Sequence, residues 1–397
     1  MPRTSHLRMW IWTAGALLIN AIAIPAQSTE DQRVSGYVPT PPVLASEQRT
    51  KSQVELALER TIDEAYGGCF RDFEIKGERF SLRIPFGENG ERAEEAVFAQ
   101  QILFGGKAEP QEIWEKIDSL LASGDFQDYA DALAEPGEKA ILFYIETGSW
   151  VASSDPEELN RLIGGPYPGT RTEICVIRHV PGIRVEDIYN YLYCIGSVGM
   201  DCSGFVYYIQ KCLARSLGAD LDRIAGRVLR TPVGMVPQIM GLWYFDPANG
   251  HAETVEDFVF NLRPGDIFLF RGRKGEFRHS AVIQSIDLGN GIIRYVQCTD
   301  WAPQPERGVH ESFIFFDPSN PEVSLHDPSV MWTQRVFPTF LGEPGLQYWK
   351  DDGDRYRTEW PTGQSLVVRL KPIERLIEEI MPTFYGHDAE CDEELLD

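Results

Sequence analysis

Between residues 262 and 299 the chain switches twice between strand chemistry and turn chemistry, and this restricts its fold more than any other stretch. Leu262-Arg263-Pro264-Gly265-Asp266 opens with a Pro-Gly turn and runs into Ile267-Phe268-Leu269-Phe270, an apolar run of strand length. A charged tip, Arg271 to Arg278, separates it from His279-Ser280-Ala281-Val282-Ile283. A Gly-Asn-Gly turn at Gly289–Gly291 leads to a third run, Ile292 to Cys298. Connections this short dictate an antiparallel meander, because parallel neighbours need a crossover of about a dozen residues or more. The meander places His279 at the start of one strand and Gln297 near the end of the next, with the partner of Gln297 expected near Val282. A base and the group that orients it need this kind of proximity.

The second constraint lies upstream. A Gly-rich loop, Cys194 to Met200, ends at Asp201-Cys202-Ser203-Gly204-Phe205-Val206, and Phe205, Val206, Ile209 and Leu213 then recur at helical spacing. Cys202 is therefore expected at or just inside the first turn of a helix. There the free N–H groups and the helix dipole favour thiolate over thiol, and the thiolate is the nucleophile. A thiolate needs an imidazole within hydrogen-bond reach and a third group to fix the imidazole tautomer. His279 and Gln297 fit those roles, with Asp300 and His310 as nearby substitutes for the third. A buried structural cysteine is the plainer alternative for Cys202.

Composition excludes several partners. The 397 residues carry a formal charge of −23, which disfavours nucleic acid and anionic membrane surfaces. The seven cysteines are Cys69, Cys175, Cys194, Cys202, Cys212, Cys298 and Cys391, an odd number that leaves at least one free thiol in an oxidising compartment. No CxxC or HExxH spacing occurs, so neither a metal nor another cofactor is expected. Residues 1–26 read as a secretory signal: Arg3 and Arg8 precede an apolar stretch, Met9 to Ile24, too short and too interrupted for a spanning helix. The expected localisation is secreted or periplasmic, with no integral membrane span in the mature chain.

Pro39, Pro41 and Pro42 mark a linker over 27–48. Helical patterns follow from Ser52, at 93–104, from Glu112 to Ala122 and from Phe126 to Ala134; Phe80–Ile84 reads as a strand, and Ile141–Ile145 fits either state. Residues 49–175 are accordingly expected to form a mainly helical domain of unassigned role, followed by a catalytic domain at 176–375 and an acidic tail at 376–397.

The ordered elements DCSGFV, LRPGDIFLF, HSAVI and YVQ resemble the NlpC family of bacterial cell-wall cysteine peptidases. The resemblance covers roughly residues 183–300. It implies an α+β, permuted papain-like domain in which a Cys-bearing helix packs on an antiparallel sheet. It implies Cys202 as nucleophile, His279 as base and Gln297 as third residue. Tyr191 or Tyr193, with Asp201 and Ser203 beside the thiol, are the implied oxyanion or substrate-binding candidates. The implied substrate is an amide bond in peptidoglycan stem peptides. Two departures stand out. Cys194-Ile195 occupies the place of a usual Gly-Gly, and His279 follows Cys202 by 77 positions, with apparent insertions at 239–255 and 302–365. A thiol amidase or acyltransferase on another substrate, and a non-catalytic binding module of the same fold, are the competing readings.

Overall fold

A computed structural model of the chain describes residues 52–87, 109–137, 139–144, 148–155, 157, 173–178, 182–272, 275–299, 308–336, 348–351 and 365–385. The expected signal (1–26) and linker (27–48), the helix expected at 93–104, and Asp300 lie outside them.

Helix α1 (Gln53–Gly67) starts where the sequence places it. Ser52 caps it, with Glu55 N–H donating to the Ser52 hydroxyl at 3.1 Å and Ser52 N–H donating back to the Glu55 carboxylate at 2.8 Å. Strands β1 (Phe70–Ile75) and β2 (Glu78–Arg83) form a hairpin through Lys76-Gly77, both at positive φ, which matches the twist of the flanking strands. Helices α2 (Pro110–Leu121) and α3 (Gly124–Ala134) follow the expected amphipathic pattern and bury Ile113, Trp114, Ile117 and Phe126.

The expectation of a mainly helical N-terminal region needs correcting. Strands β3 (Lys139–Tyr144), β4 (Ser149–Ser153) and β5 (Glu173–Arg178) form a three-stranded sheet in the order β4-β3-β5, so the region is mixed. Of the ambiguous apolar run at 141–145, residues 141–144 pair as a strand with Ser149–Ser153, which follows closely in sequence. Among the described residues, Leu58 and Ile62 of α1 share one cluster with Val206, Ile209 and Val282.

Downstream come α4 (Val185–Cys194), α5 (Cys202–Ser216), α6 (Leu221–Leu229), α7 (Val236–Ile239) and α8 (Leu242–Phe245). The strands that follow are β6 (Ala252–Val255), β7 (Ile267–Arg271), β8 (Phe277–Asp287), β9 (Ile292–Thr299), β10 (Gly308–Phe315), β11 (Met331–Val336), β12 (Tyr348–Asp351) and β13 (Leu366–Leu370). They form one antiparallel sheet in the order β12-β11-β10-β9-β8-β7-β13-β6. The expected meander is β7-β8-β9 at its centre.

Side chains alternate across the sheet and divide two cores. Leu269, Val282 and Val296 meet Phe205, Val206 and Ile209 of α5 on one face. Phe268, Phe270, Ala281, Ile283 and Tyr295 gather with Trp332 on the other. Each of these large side chains, fully buried, contributes roughly 1.5–3 kcal/mol. Gln297 lies opposite Ala281, one residue short of the expectation, because a bulge between Ile283 and Ser285 shifts the register.

The Pro-Gly-Asp turn has a structural use. The Asp266 carboxylate, fully buried, accepts from Arg369 Nε at 2.7 Å and Nη2 at 2.9 Å, and from the Arg263 backbone at 2.9 Å. It thereby clamps the start of β7 to β13. The chain does not turn into a tail at 376: helix α9 (Lys371–Tyr385) continues through it and buries Ile373 and Ile377, one turn apart. Among the described residues no helix is long and apolar enough to cross a membrane.

Candidate active site

Helix α5 begins at Cys202 because Asp201 stops the preceding loop. Asp201 is extended (ψ 168°), and its carboxylate accepts from the Gly204 backbone and, at 3.0 Å, from the Ser203 hydroxyl. Both neighbours of Cys202 are thus engaged in the cap. Cys202 is the first helical residue, with 9% of its surface exposed.

The loop before it is pinned by backbone bonds. Met200 N–H donates to Pro85 O at 2.9 Å, and Gly87 N–H donates to Met200 O at 2.9 Å. Gly199 is required there, since a Cβ would stand 2.6 Å from Gly87 N. Cys298 Sγ, one residue past Gln297, also reaches Met200 O, at 3.0 Å. The start of α5 is therefore held at the end of β9 that carries Gln297.

His279 is buried near the start of β8 and stacks on Phe270, its cross-strand partner, with ring centroids 5.5 Å apart. Its Nε2 lies 2.7 Å from Gln297 Oε1. An amide oxygen only accepts, so this contact places the proton on Nε2. The lone pair of the neutral ring is then on Nδ1. The Gln297 amide nitrogen donates to Ser312 Oγ at 2.9 Å and faces His310 Nε2 at 3.3 Å, and His310 Nδ1 lies 2.9 Å from Gly308 O.

The two halves of the site sit on different faces. Cys298 and Val296 point toward α5, so Gln297 and its neighbour His279 project with Phe270 and Tyr295 from the opposite face. The two faces share the rim of the sheet where β8 begins and β9 ends.

The other predicted residues separate clearly. Tyr191 donates to the Asp125 carboxylate at 2.7 Å within the cluster of Phe126 and Tyr129, and burial reinforced by Asp125 raises its pKa. Its hydroxyl belongs to the α3–α4 contact. Tyr193 is half-buried on the helix-side core and remains the tyrosine candidate. His310, read from sequence as a substitute for Gln297, is instead its neighbour across β9–β10. Ser312 carried no sequence signal, because its role depends on that register alone.

None of Cys69, Cys194, Cys202, Cys212 and Cys298 is in a disulfide. Burial pushes Cys194 up to about 12 and raises Cys69 and Cys212 as well. Among the described residues no group of His, Cys, Asp and Glu is placed to hold a metal ion. No family model, no curated protein and no solved structure matches the chain.

Proposed function

We propose that the protein is a secreted cysteine peptidase that hydrolyses amide bonds in peptidoglycan stem peptides, on a permuted papain-like scaffold. The observation that carries this is the buried His279–Gln297 bond at 2.7 Å, which leaves the imidazole lone pair on Nδ1; the cysteine at the start of α5 follows Met200, which Cys298 ties to the end of β9 that carries Gln297. Nδ1 takes the Cys202 proton. The thiolate attacks the amide carbonyl carbon, and the carbonyl oxygen becomes an oxyanion held by the Cys202 backbone N–H and the Tyr193 hydroxyl. The C–N bond breaks as Nδ1 returns the proton to the leaving amine, giving a thioester. Water, deprotonated by His279, attacks the thioester and releases a carboxylate and the thiol. Gln297 holds the ring so that the imidazolium keeps an acceptor at Nε2. The cap leaves Asp201 and Ser203 to shape the helix start rather than to react.

Incubating the protein with purified peptidoglycan, followed by mass analysis of released muropeptides, tests this. New amine termini within stem peptides, absent with Cys202→Ser, are expected. Turnover of other amides only favours an amidase or acyltransferase; binding without turnover of any amide favours a non-catalytic module.

A further inference from the structure

We propose that His310 is a positioning residue that decides which end of the Gln297 amide faces His279, an inference that rests on His279 being the base. A primary amide is nearly symmetric in shape, so packing alone does not distinguish its oxygen from its NH₂ group. The distinction matters at His279. An NH₂ group facing Nε2 would force the proton of the neutral ring onto Nδ1 and remove the base from the thiol side.

The selection begins at Gly308. Its carbonyl only accepts, so His310 Nδ1, 2.9 Å away, must donate, and His310 Nε2 is left as an acceptor. Gln297 Nε2 is 3.3 Å from that nitrogen, and an amide N–H satisfies it where an amide oxygen would set two lone pairs against each other. Ser312 does not discriminate. Its hydroxyl accepts from Gln297 Nε2 at 2.9 Å, but a hydroxyl also donates and would tolerate the flipped amide. His310 is therefore the residue that fixes the direction.

Burial gives the choice its force. Gln297 and Ser312 are 0% exposed and His310 is 1% exposed, so bulk water does not substitute for a lost partner. The origin of the chain is itself rigid. Gly308 has φ +124°, and a Cβ there would stand 2.3 Å from Ile84 O; Val309 N–H donates to the same oxygen at 3.0 Å.

The direct test is the tautomeric state read from ring ¹⁵N shifts in histidine-labelled protein. His310 is expected as the Nδ1–H tautomer and His279 as the Nε2–H tautomer. The reverse tautomer at His310 overturns the proposal without any variant being made. The functional test is the pH profile of Cys202 alkylation by iodoacetamide in wild type, His310→Phe, Gln297→Ala and the double variant. His310→Phe should slow labelling below neutral pH about tenfold, the scale of one hydrogen bond to a charged group. The double variant should match Gln297→Ala, and His310→Gln, which restores an acceptor, should recover most of the loss. Additive effects of His310→Phe and Gln297→Ala overturn the positioning role. A wild-type profile in Gln297→Ala, with His310 in its expected tautomer, overturns the catalytic reading alone.

Discussion

Two fully buried polar side chains on the same sheet, Gln297 and Asp266, are satisfied in opposite ways. Around Gln297 the partners are imidazoles and a hydroxyl. Around Asp266 they are ions: Arg369 grips it with two bonds, and Arg263, beside it, pairs with Glu374. Burial raises the Asp266 carboxyl while Arg369 pulls it back, and burial with Arg369 nearby lowers Arg263 to about 10. An ionic cluster in the interior is stable only with all its members, because each charge left alone bears its full desolvation cost. A neutral cluster instead has direction. Each donor must meet an acceptor, so one end of the network dictates the proton's place at the other. Proton transfer chemistry fits the second design and anchoring fits the first.

The sharpest way to break this division is to remove the two groups proposed to react. Cys202→Ser and His279→Ala should each lower kcat on peptidoglycan by at least about a thousandfold. Cys202→Ser should leave the melting temperature within a few degrees of wild type, as calorimetry would show. A large fall in melting temperature for Cys202→Ser would mean that the helix start is structural first.

Asp266→Ala is the reciprocal experiment. It takes the buried carboxylate away from half-buried Arg369 and Arg263, leaving Glu374 as their counter-ion, and should cost about 3 kcal/mol in denaturant unfolding, the low end for breaking a buried pair. Activity per folded molecule should stay near wild type. Full stability with lost activity would instead place Asp266 in the site.

Gln297→Ala lies between the two. Orientation contributes less than proton transfer, so kcat should fall about 10- to 100-fold, less than for His279→Ala. Rates equal to those of His279→Ala would move the third role from orientation to chemistry.

What the sequence made legible follows the same division between local and non-local information. The Pro-Gly turn, the Gly-Asn-Gly turn and the helix start at Cys202 are written in neighbouring residues, and all three stand where expected. The pairing of His279 with Gln297 was legible because one tight turn joins their strands. His310 was legible only as a substitute for Gln297, not as its partner, and Ser312 not at all, since their positions depend on the β9–β10 register across a connection whose residues encode no tight turn. The Asp266–Arg369 clamp spans 103 positions, and nothing local announces it. The strand at β3 was hidden by a run too short and too apolar to show a period. Helix α9 was hidden by its charges, although Ile373, Leu376 and Ile377 carry a helical spacing that would have revealed it.

The smallest expected effect tests whether ionic clusters alone are acid-sensitive. At the far end of α5, Lys211 Nζ lies 2.6 Å from Glu109 and 2.7 Å from Asp222, and Arg215 reaches Glu109 at 2.7 Å. Burial alone would raise the Glu109 carboxyl, but hydrogen bonds from Arg215 and Lys211 and their charges outweigh it, so its pKa lies below the ordinary 4.5. A carboxyl depressed in the folded state stabilises the fold above its unfolded pKa, and that contribution is lost as pH falls through the folded value. Glu109→Gln should therefore be less stable than wild type at neutral pH, with the gap closing as the pH drops below about 4.5. Because Glu109 is partly exposed, solvent screens the effect and added salt should shrink it further. Ser312→Ala, in the neutral network, should show a stability difference with no such acid limb. Denaturant titrations of both variants between pH 3 and pH 7 compare the two; a gap for Glu109→Gln that persists at low pH would assign its loss to packing rather than charge.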